Sequence, residues 1–451
     1  MQLRPVKSIY SMAIEGTNSI TRSSAISDHA DTSAGMSSQS QRPIASGHRR
    51  LEGKRVAMVV LSGYPADPRP RRAAEALKNE GMEVELVCVA NHTKATGACS
   101  NGIDVVRLPI KHARGGKLSY MYEYSAFLAA ASAILAVRSL TRHYDLVYIH
   151  NMPDVLVMSS LVPKALGAKV ILDMHDPMPE LMMTIFQLDQ ESRGVQLIRR
   201  FERWSLGLAD LVVTVNIACK RIFGTRSCPP EKIGVVMNSP DRQIFPFRAP
   251  RVRAAAKNGQ AKPFVIMYHG SLLERNGLDL AVDALAKIQE SVPAAELRIY
   301  GATTPFLERV LDSVRSRGLQ DRVHYFGPKR LEELVPAIED CDVGVIPNHR
   351  NAFTEINTPT RIFEYLALGK PVIAPSTPGI QDYFNKDSLY FFAPGNSDDL
   401  AKQIEYVFLN PTDAMEIVAR GQQVYLAHTW EQERETLVNL VSELLHGSNS
   451  H

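Results

Sequence analysis

Cysteine is scarce and unpatterned. The five (Cys88, Cys99, Cys219, Cys228 and Cys341) are odd in number, lie far apart in 451 residues, and include neither a Cys-x-x-Cys pair nor a Cys/His cluster at zinc spacing. That argues against a disulfide scaffold or a zinc module and for a reducing, cytoplasmic setting. An excess of one charge is also missing: 51 Lys and Arg against 48 Asp and Glu leave a formal +3, without the basic surplus of a nucleic-acid binder. Long apolar runs are absent too. The most apolar stretch, Tyr124 to Val137, has 14 residues, whereas a spanning helix needs about 20, so it reads as a buried helix. Lys111, Arg114 and Lys117 precede it, and the alternative reading is peripheral contact with the inner face of a membrane. The first fifty residues lack a signal peptide's apolar core, and residues 1–52 read as a disordered leader.

What is present is ordinary globular material, 45% hydrophobic and 22% charged, enough for two cores. From Lys54 short β-branched runs alternate with helix-length amphipathic runs, the pattern of parallel strands joined by helical crossovers. Strands are expected at Val56–Leu61, Val84–Val89, Leu146–His150, Lys169–Met174, Leu211–Val215 and Ile233–Val236, within a domain spanning 53–240. Proline and polar residues then make 241–262 a linker. A second domain, 263–428, carries strands at Phe264–Tyr268, Leu297–Tyr300, Val323–Phe326, Val343–Ile346, Pro371–Ala374 and Leu389–Phe392. Residues 429–451 form a last helix that can cross back to the first domain. The expected fold is α/β, with two doubly wound Rossmann-like domains facing a central cleft.

In such sheets ligands bind beyond the carboxyl ends of the strands. The most informative loop there runs from Asn357 to Pro371 (NTPTRIFEYLALGKP). Thr358 reads as an N-cap, Pro359 as the first helical residue and Gly369 as the stop. The helix start is an anion site. Arg361 in its first turn works against the dipole by about 0.3–1 kcal/mol, which a bound diphosphate offsets, while Glu364 stays free to accept from a ribose diol. The plainer alternative pairs Arg361 with Glu364 at i,i+3.

Pro359, Arg361, Glu364, Tyr365, Ala367, Gly369, Pro371 and Val372 match a signature, and the segment resembles the donor site of family 4 glycosyltransferases, which have the two-domain GT-B fold. The resemblance implies a retaining, metal-independent transfer from a nucleotide-sugar donor to a glycan, lipid-linked or small-molecule acceptor, in envelope polysaccharide or glycoconjugate synthesis. Glu364 would hold the ribose, with Thr358, Thr360 and Arg361 beside it. A second family glutamate, eight positions earlier, is replaced by Ile356, with Glu355 next to it. Gly270, Ser271 and Arg275 resemble the diphosphate loop, whose usual Arg and Lys are here Ser271 and Asn276. Gly301 and Lys329 fall in weaker loops on the nucleotide side, and Gly63 in a glycine loop near the phosphates. His175, at a strand end, inherits the catalytic candidacy, and His150 is the acceptor-side candidate; for both, a structural role is the alternative.

No cofactor and no metal are expected. Asp340-Cys341-Asp342 has the Asp-x-Asp form but sits at the start of a strand, the wrong end for a ligand. A sugar-nucleotide epimerase and a catalytically silent sugar-nucleotide-binding protein are the rival readings. Arg199, Arg200, Arg203 and Trp204 read either as a membrane-facing group or as one solvated helix face.

Overall fold

A computed structural model describes residues 49–90, 99–100, 102–110, 117–251 and 262–447. The expected leader up to residue 48, Lys111, Arg114 and linker residues 252–261 lie outside them. The strands of the first half are β1 (Arg55–Val59), β2 (Glu83–Val89), β3 (Cys99–Ser100), β4 (Ile103–Leu108), β5 (Leu146–His150), β6 (Lys169–Met174), β7 (Leu211–Thr214) and β8 (Ile233–Val235). They form one sheet ordered β3-β4-β2-β1-β5-β6-β7-β8, parallel throughout except for the β3–β4 pair. Strand alternation divides the core: Ala57 and Val59 face one layer, Val56 and Met58 the other.

The first layer holds α2 (Lys117–Thr141), a 3-10 turn at Asp154–Ser160, α5 (Arg193–Leu208) and α6 (Ile217–Arg226). The other holds α1 (Pro68–Asn79). Two shorter helices, α3 (Leu161–Ala165) and α4 (Met178–Phe186), complete this half. The apolar stretch expected as a buried helix is in fact a 25-residue helix buried on one stripe only. Glu123, Phe127, Ala131, Leu135 and Ser139 recur every fourth residue against the sheet, while Tyr122, Val137 and Leu140 are exposed. An apolar composition on every face could not tell which face packs.

The second sheet is wholly parallel, β11-β10-β9-β12-β13-β14, built from β9 (Phe264–His269), β10 (Ala295–Tyr300), β11 (Val323–Tyr325), β12 (Val343–Val345), β13 (Val372–Pro375) and β14 (Tyr390–Phe392). Helices α7 (Leu278–Lys287), α8 (Pro305–Ser316) and α12 (Ser397–Leu409) cover one face. On the other lie α9 (Leu331–Glu339), α10 (Thr360–Ala367), the short α11 (Pro378–Gln381) and the Val418 and Tyr425 side of α13 (Pro411–Ala427). The chain order reverses at β1/β5 and at β9/β12, the switch points where open sheets form their crevices.

The last helix, α14 (Trp430–His446), leaves the second sheet and packs on the first domain. Leu437, Val438 and Val441 join the core beneath α1, Glu433 accepts from the Met237 amide at 2.7 Å, and Arg72 stacks 5.4 Å over Trp430. The two halves also touch directly. Asn216 Nδ2 donates to the Ile356 carbonyl at 2.8 Å and to Thr358 Oγ1 at 3.2 Å, and the Ile217 amide donates to Tyr383 Oη at 2.9 Å. Ile356 is itself buried in the first domain's core.

Candidate active site in the interdomain cleft

On the second-domain side, Glu364 is nearly buried and its Oε2 lies 2.6 Å from His269 Nε2. The other face of that imidazole meets Tyr365 Oη at 2.9 Å, and Tyr365 in turn donates to the Met267 carbonyl at 2.9 Å. The carboxylate is thus fixed from the strand end behind it, with Oε1 left to a ligand. The i,i+3 pairing of Arg361 with Glu364 does not form. Arg361 instead donates to the His269 carbonyl at 2.7 Å, lies 4.8 Å over the Tyr268 ring and crosses Gly270. Its charge is delivered to the loop after β9.

Gly270 is glycine for two reasons: φ is +119°, and a Cβ would stand 3.2 Å from Arg361 Cδ. Its amide is not free for phosphate, because it donates to the Tyr300 carbonyl at 3.0 Å. Among the described residues no hydrogen bond takes the Ser271 amide, while the Ser271 carbonyl accepts from Tyr268 Oη at 2.6 Å and Asn276 Nδ2 at 2.7 Å. Gly301 lies against the same loop: a Cβ there would meet the Gly270 carbonyl at 2.2 Å. Beyond β11 the exposed Phe326 ring stacks on Tyr300 at 5.1 Å, and Lys329 is exposed nearby in sequence.

The expected N-cap is displaced by one residue. Pro359 occupies it, and Thr358 donates to the Gly379 carbonyl at 2.7 Å while accepting from Asn216, so Thr358 works as a domain-contact residue. Thr360 opens α10 and lies 3.5 Å from the Asn238 carbonyl. Glu355, beside the lost family glutamate, is engaged by Arg350 at 2.6 Å.

On the first-domain side, His175 follows β6 and His150 ends β5. Sequence reasoning missed what lies behind them. Asp173 takes a two-pronged contact from Arg69 at 2.6–3.1 Å and a hydrogen bond from Tyr148 Oη at 3.0 Å. Although burial opposes ionisation, the Arg69 charge and the His150 N–H hold the Asp173 carboxyl well below the usual range. His150 Nδ1 stands 3.4 Å from Asp173 Oδ2 and 2.9 Å from His175 Nε2, and His150 Nε2 is buried without a partner. A proton on Nδ1 lies between Asp173 Oδ2 and His175 Nε2, both acceptors, whereas one on Nε2 finds no acceptor and turns the bare Nδ1 toward the Asp173 carboxylate. His150 therefore donates to His175 Nε2, which leaves the His175 proton on Nδ1.

Burial pushes His175 down to about 3, against the pull of Asp173, so it is a neutral ring. His150 is fully buried behind it and cannot touch an acceptor, correcting the acceptor-side expectation; its influence reaches the cleft through His175. Asp176, one residue on, is pushed up to about 6 by burial, with Arg275 and Arg69 opposing. Arg275 lies 5.7 Å over the Phe353 ring, and burial lowers its pKa against the pull of Asp176. Gly63 makes the turn into α1, its carbonyl accepting from the Ala66 amide at 3.0 Å.

His150, Asp173 and His175 have ligand atoms within 4.8 Å of one another, a metal-like grouping. The Arg69 guanidinium already occupies Asp173, and the two imidazole nitrogens bond each other, so a cation would displace one full positive charge and break that bond. Of the Asp-x-Asp residues, Asp342 accepts from the Val265 amide at 2.8 Å and Asp340 from Arg298 at 2.7 Å, both in structural work.

Two family descriptions match the chain: "Glycosyl transferase 4-like domain" over residues 66–239 and "Glycosyl transferases group 1" over residues 252–424. WbjE of Pseudomonas aeruginosa, named as a glycosyltransferase, is 24% identical over 266 residues, 57% of this chain and 63% of the relative. WcaL of Escherichia coli K12, named for colanic acid biosynthesis, is 26% identical over 229 residues, 50% of this chain and 54% of the relative. The matches thus span less than two thirds of these relatives' lengths. Among solved structures, sucrose-phosphate synthase from Thermosynechococcus elongatus has a TM-score of 0.70 at 19% identity, covering 88% of this chain and 100% of that one. Anabaena HepE in complex with UDP scores 0.64 at 16% identity, covering 86% and 100%. Signature, sheet topology and family matches agree: the chain belongs to the family 4 glycosyltransferases, with the two-domain GT-B architecture.

Proposed function

We propose that the chain transfers a sugar from a nucleotide-diphosphate donor to a hydroxyl acceptor with retention of anomeric configuration and without a metal, in envelope polysaccharide or glycoconjugate synthesis. The observation that carries this reading is Glu364, held by His269 one turn into α10 with Arg361 in the first turn, across the cleft from a neutral His175. Glu364 Oε1 accepts from the ribose diol. Arg361, Arg275 and the amino end of α10 stabilise the departing diphosphate. The bond from the sugar's C1 to the diphosphate oxygen breaks, the acceptor oxygen bonds C1 on the same face, and its proton passes to the diphosphate. A neutral His175 with its proton on Nδ1 acts as a hydrogen-bond donor to a sugar hydroxyl, since a ring titrating near 3 supplies no acid at neutral pH. HepE bound to UDP and WcaL's naming support a nucleotide sugar and an envelope glycan as substrate classes. The chain works in the cytoplasm, in keeping with five scattered cysteines and no Cys-x-x-Cys pair.

The test is to incubate the full chain, in EDTA, with UDP-, GDP-, ADP- and dTDP-sugars and glycan or lipid-linked acceptors. One donor should give sugar transfer with its anomeric configuration kept. Nucleotide release without transfer would point to an epimerase, and binding without turnover to a silent binding protein.

A further inference from the structure

Three neighbouring elements of the first domain, α2, the 3-10 turn with α3, and α5, pack side by side over one face of the sheet. Among the described residues nothing covers their outer surface. Val137, Leu140, Leu161, Leu197, Phe201 and Trp204 are all large, apolar and exposed there. The charge on these elements is sorted by sign. They carry one acidic residue each, Glu123, Asp154 and Glu202, and all three are buried. Glu202 points inward to Arg226 at 2.7 Å. Arg193, Arg200 and Arg203 lie exposed between the apolar side chains of α5. At 100° per residue Leu197, Arg200, Phe201 and Trp204 share one stripe, with Glu202 opposite.

We propose that this face docks on an anionic lipid bilayer. Exposed aliphatic and aromatic side chains interleaved with arginine, with the acids of these three elements withdrawn and the nearest exposed ones, Asp189 and Glu191, confined to the loop before α5, match a headgroup–acyl boundary in both chemistry and charge. A second copy is a poorer occupant: isologous pairing would set the arginines of one copy against those of the other. The one-signed face is local, because the chain as a whole carries only +3. Helix α2 contains a 20-residue stretch long and apolar enough to cross a membrane, Tyr122–Thr141, but Phe127, Ala131 and Leu135 are locked in the domain core. It therefore lies along the surface. An apolar seam of Ile198, Ile185, Met178 and Met152 leads from α5 to Phe353 in the cleft, so docking would present a lipid-carried acceptor to the site. That last step rests on the transferase reading; the docking does not.

The experiment is co-sedimentation of the full chain with phosphatidylcholine vesicles, alone or containing about one third phosphatidylglycerol, at low and high salt. Binding to the anionic vesicles is expected, weakened by salt, with a blue shift of Trp204 emission in a Trp430→Phe background. Leu197→Ser with Trp204→Ser should reduce partitioning by at least about tenfold. Arg193→Gln with Arg200→Gln should remove the preference for anionic lipid. Thermal stabilisation by the donor nucleotide in solution should stay unchanged in both, which separates loss of docking from loss of fold or of donor binding. Absent binding, equal binding to neutral vesicles, or unaltered partitioning of the variants would overturn the proposal. So would a solution dimer that the Leu197 and Trp204 changes dissociate, which would assign the face to a second copy.

Discussion

At the scale of single residues, the cleft sets charge by burial. Asp176 is held partly protonated near neutrality because removing its carboxylate from water outweighs the pull of Arg275 and Arg69. A carboxyl whose folded pKa stands above its unfolded value costs stability as pH rises between the two. Asp176→Asn should therefore stabilise the free protein by about 1–2 kcal/mol above pH 6, after allowing for the carboxyl's partial exposure, with the gain shrinking as pH falls and vanishing below about pH 4. Urea unfolding across that range checks it, and a gain independent of pH contradicts the assignment. Glu364 and Arg361 were legible in sequence because their spacing carries a known signature. Arg69, Asp173 and His269 were not, since each acts on a partner distant in the chain: Arg69 is 104 positions from Asp173, and His269 95 from Glu364. His150 was legible as a strand-end histidine, but its depth behind His175 depends on the register of β5 against β6.

At the scale of elements, the donor side is assembled from strand ends brought into backbone contact. Gly301 at the end of β10 lies so close to the Gly270 carbonyl that a methyl group has no room, at 2.2 Å. Gly301→Ala should push the loop after β9 away from Arg361, destabilise the chain by about 1–3 kcal/mol, and weaken donor binding more than tenfold in the fraction that folds. Wild-type stability and affinity in that variant would mean the loop is not held as described. Most strands were readable because both sheets, the β3–β4 edge apart, are parallel and buried on both faces, which gives compact apolar runs between helices. The β3–β4 edge pair escaped: Ile103–Leu108 mixes charged with apolar residues, and β3 is two residues long. Thr358 illustrates the limit on boundaries. Its sequence fits an N-cap, yet its hydroxyl bridges Gly379 and Asn216, and the helix begins beyond Pro359.

At the scale of the whole molecule, two sheets face each other with their switch points across one cleft, and the second domain's last helix ties back to the first. Asn216 bridges Ile356 and Thr358, and Ile356 sits in the first domain's core where the commoner family pattern places a glutamate. In the proposed donor site fewer charges surround the nucleotide than in that pattern, which places more of the recognition on Glu364. The most direct test is calorimetric titration of wild-type, Glu364→Ala and Glu364→Gln protein with the nucleotide diphosphate of the preferred donor, each with and without EDTA. Glu364→Ala should lose about 1.5–3 kcal/mol of binding, Glu364→Gln part of that, and EDTA should change neither. Unchanged affinity in Glu364→Ala, or binding abolished by EDTA, would contradict the donor site described.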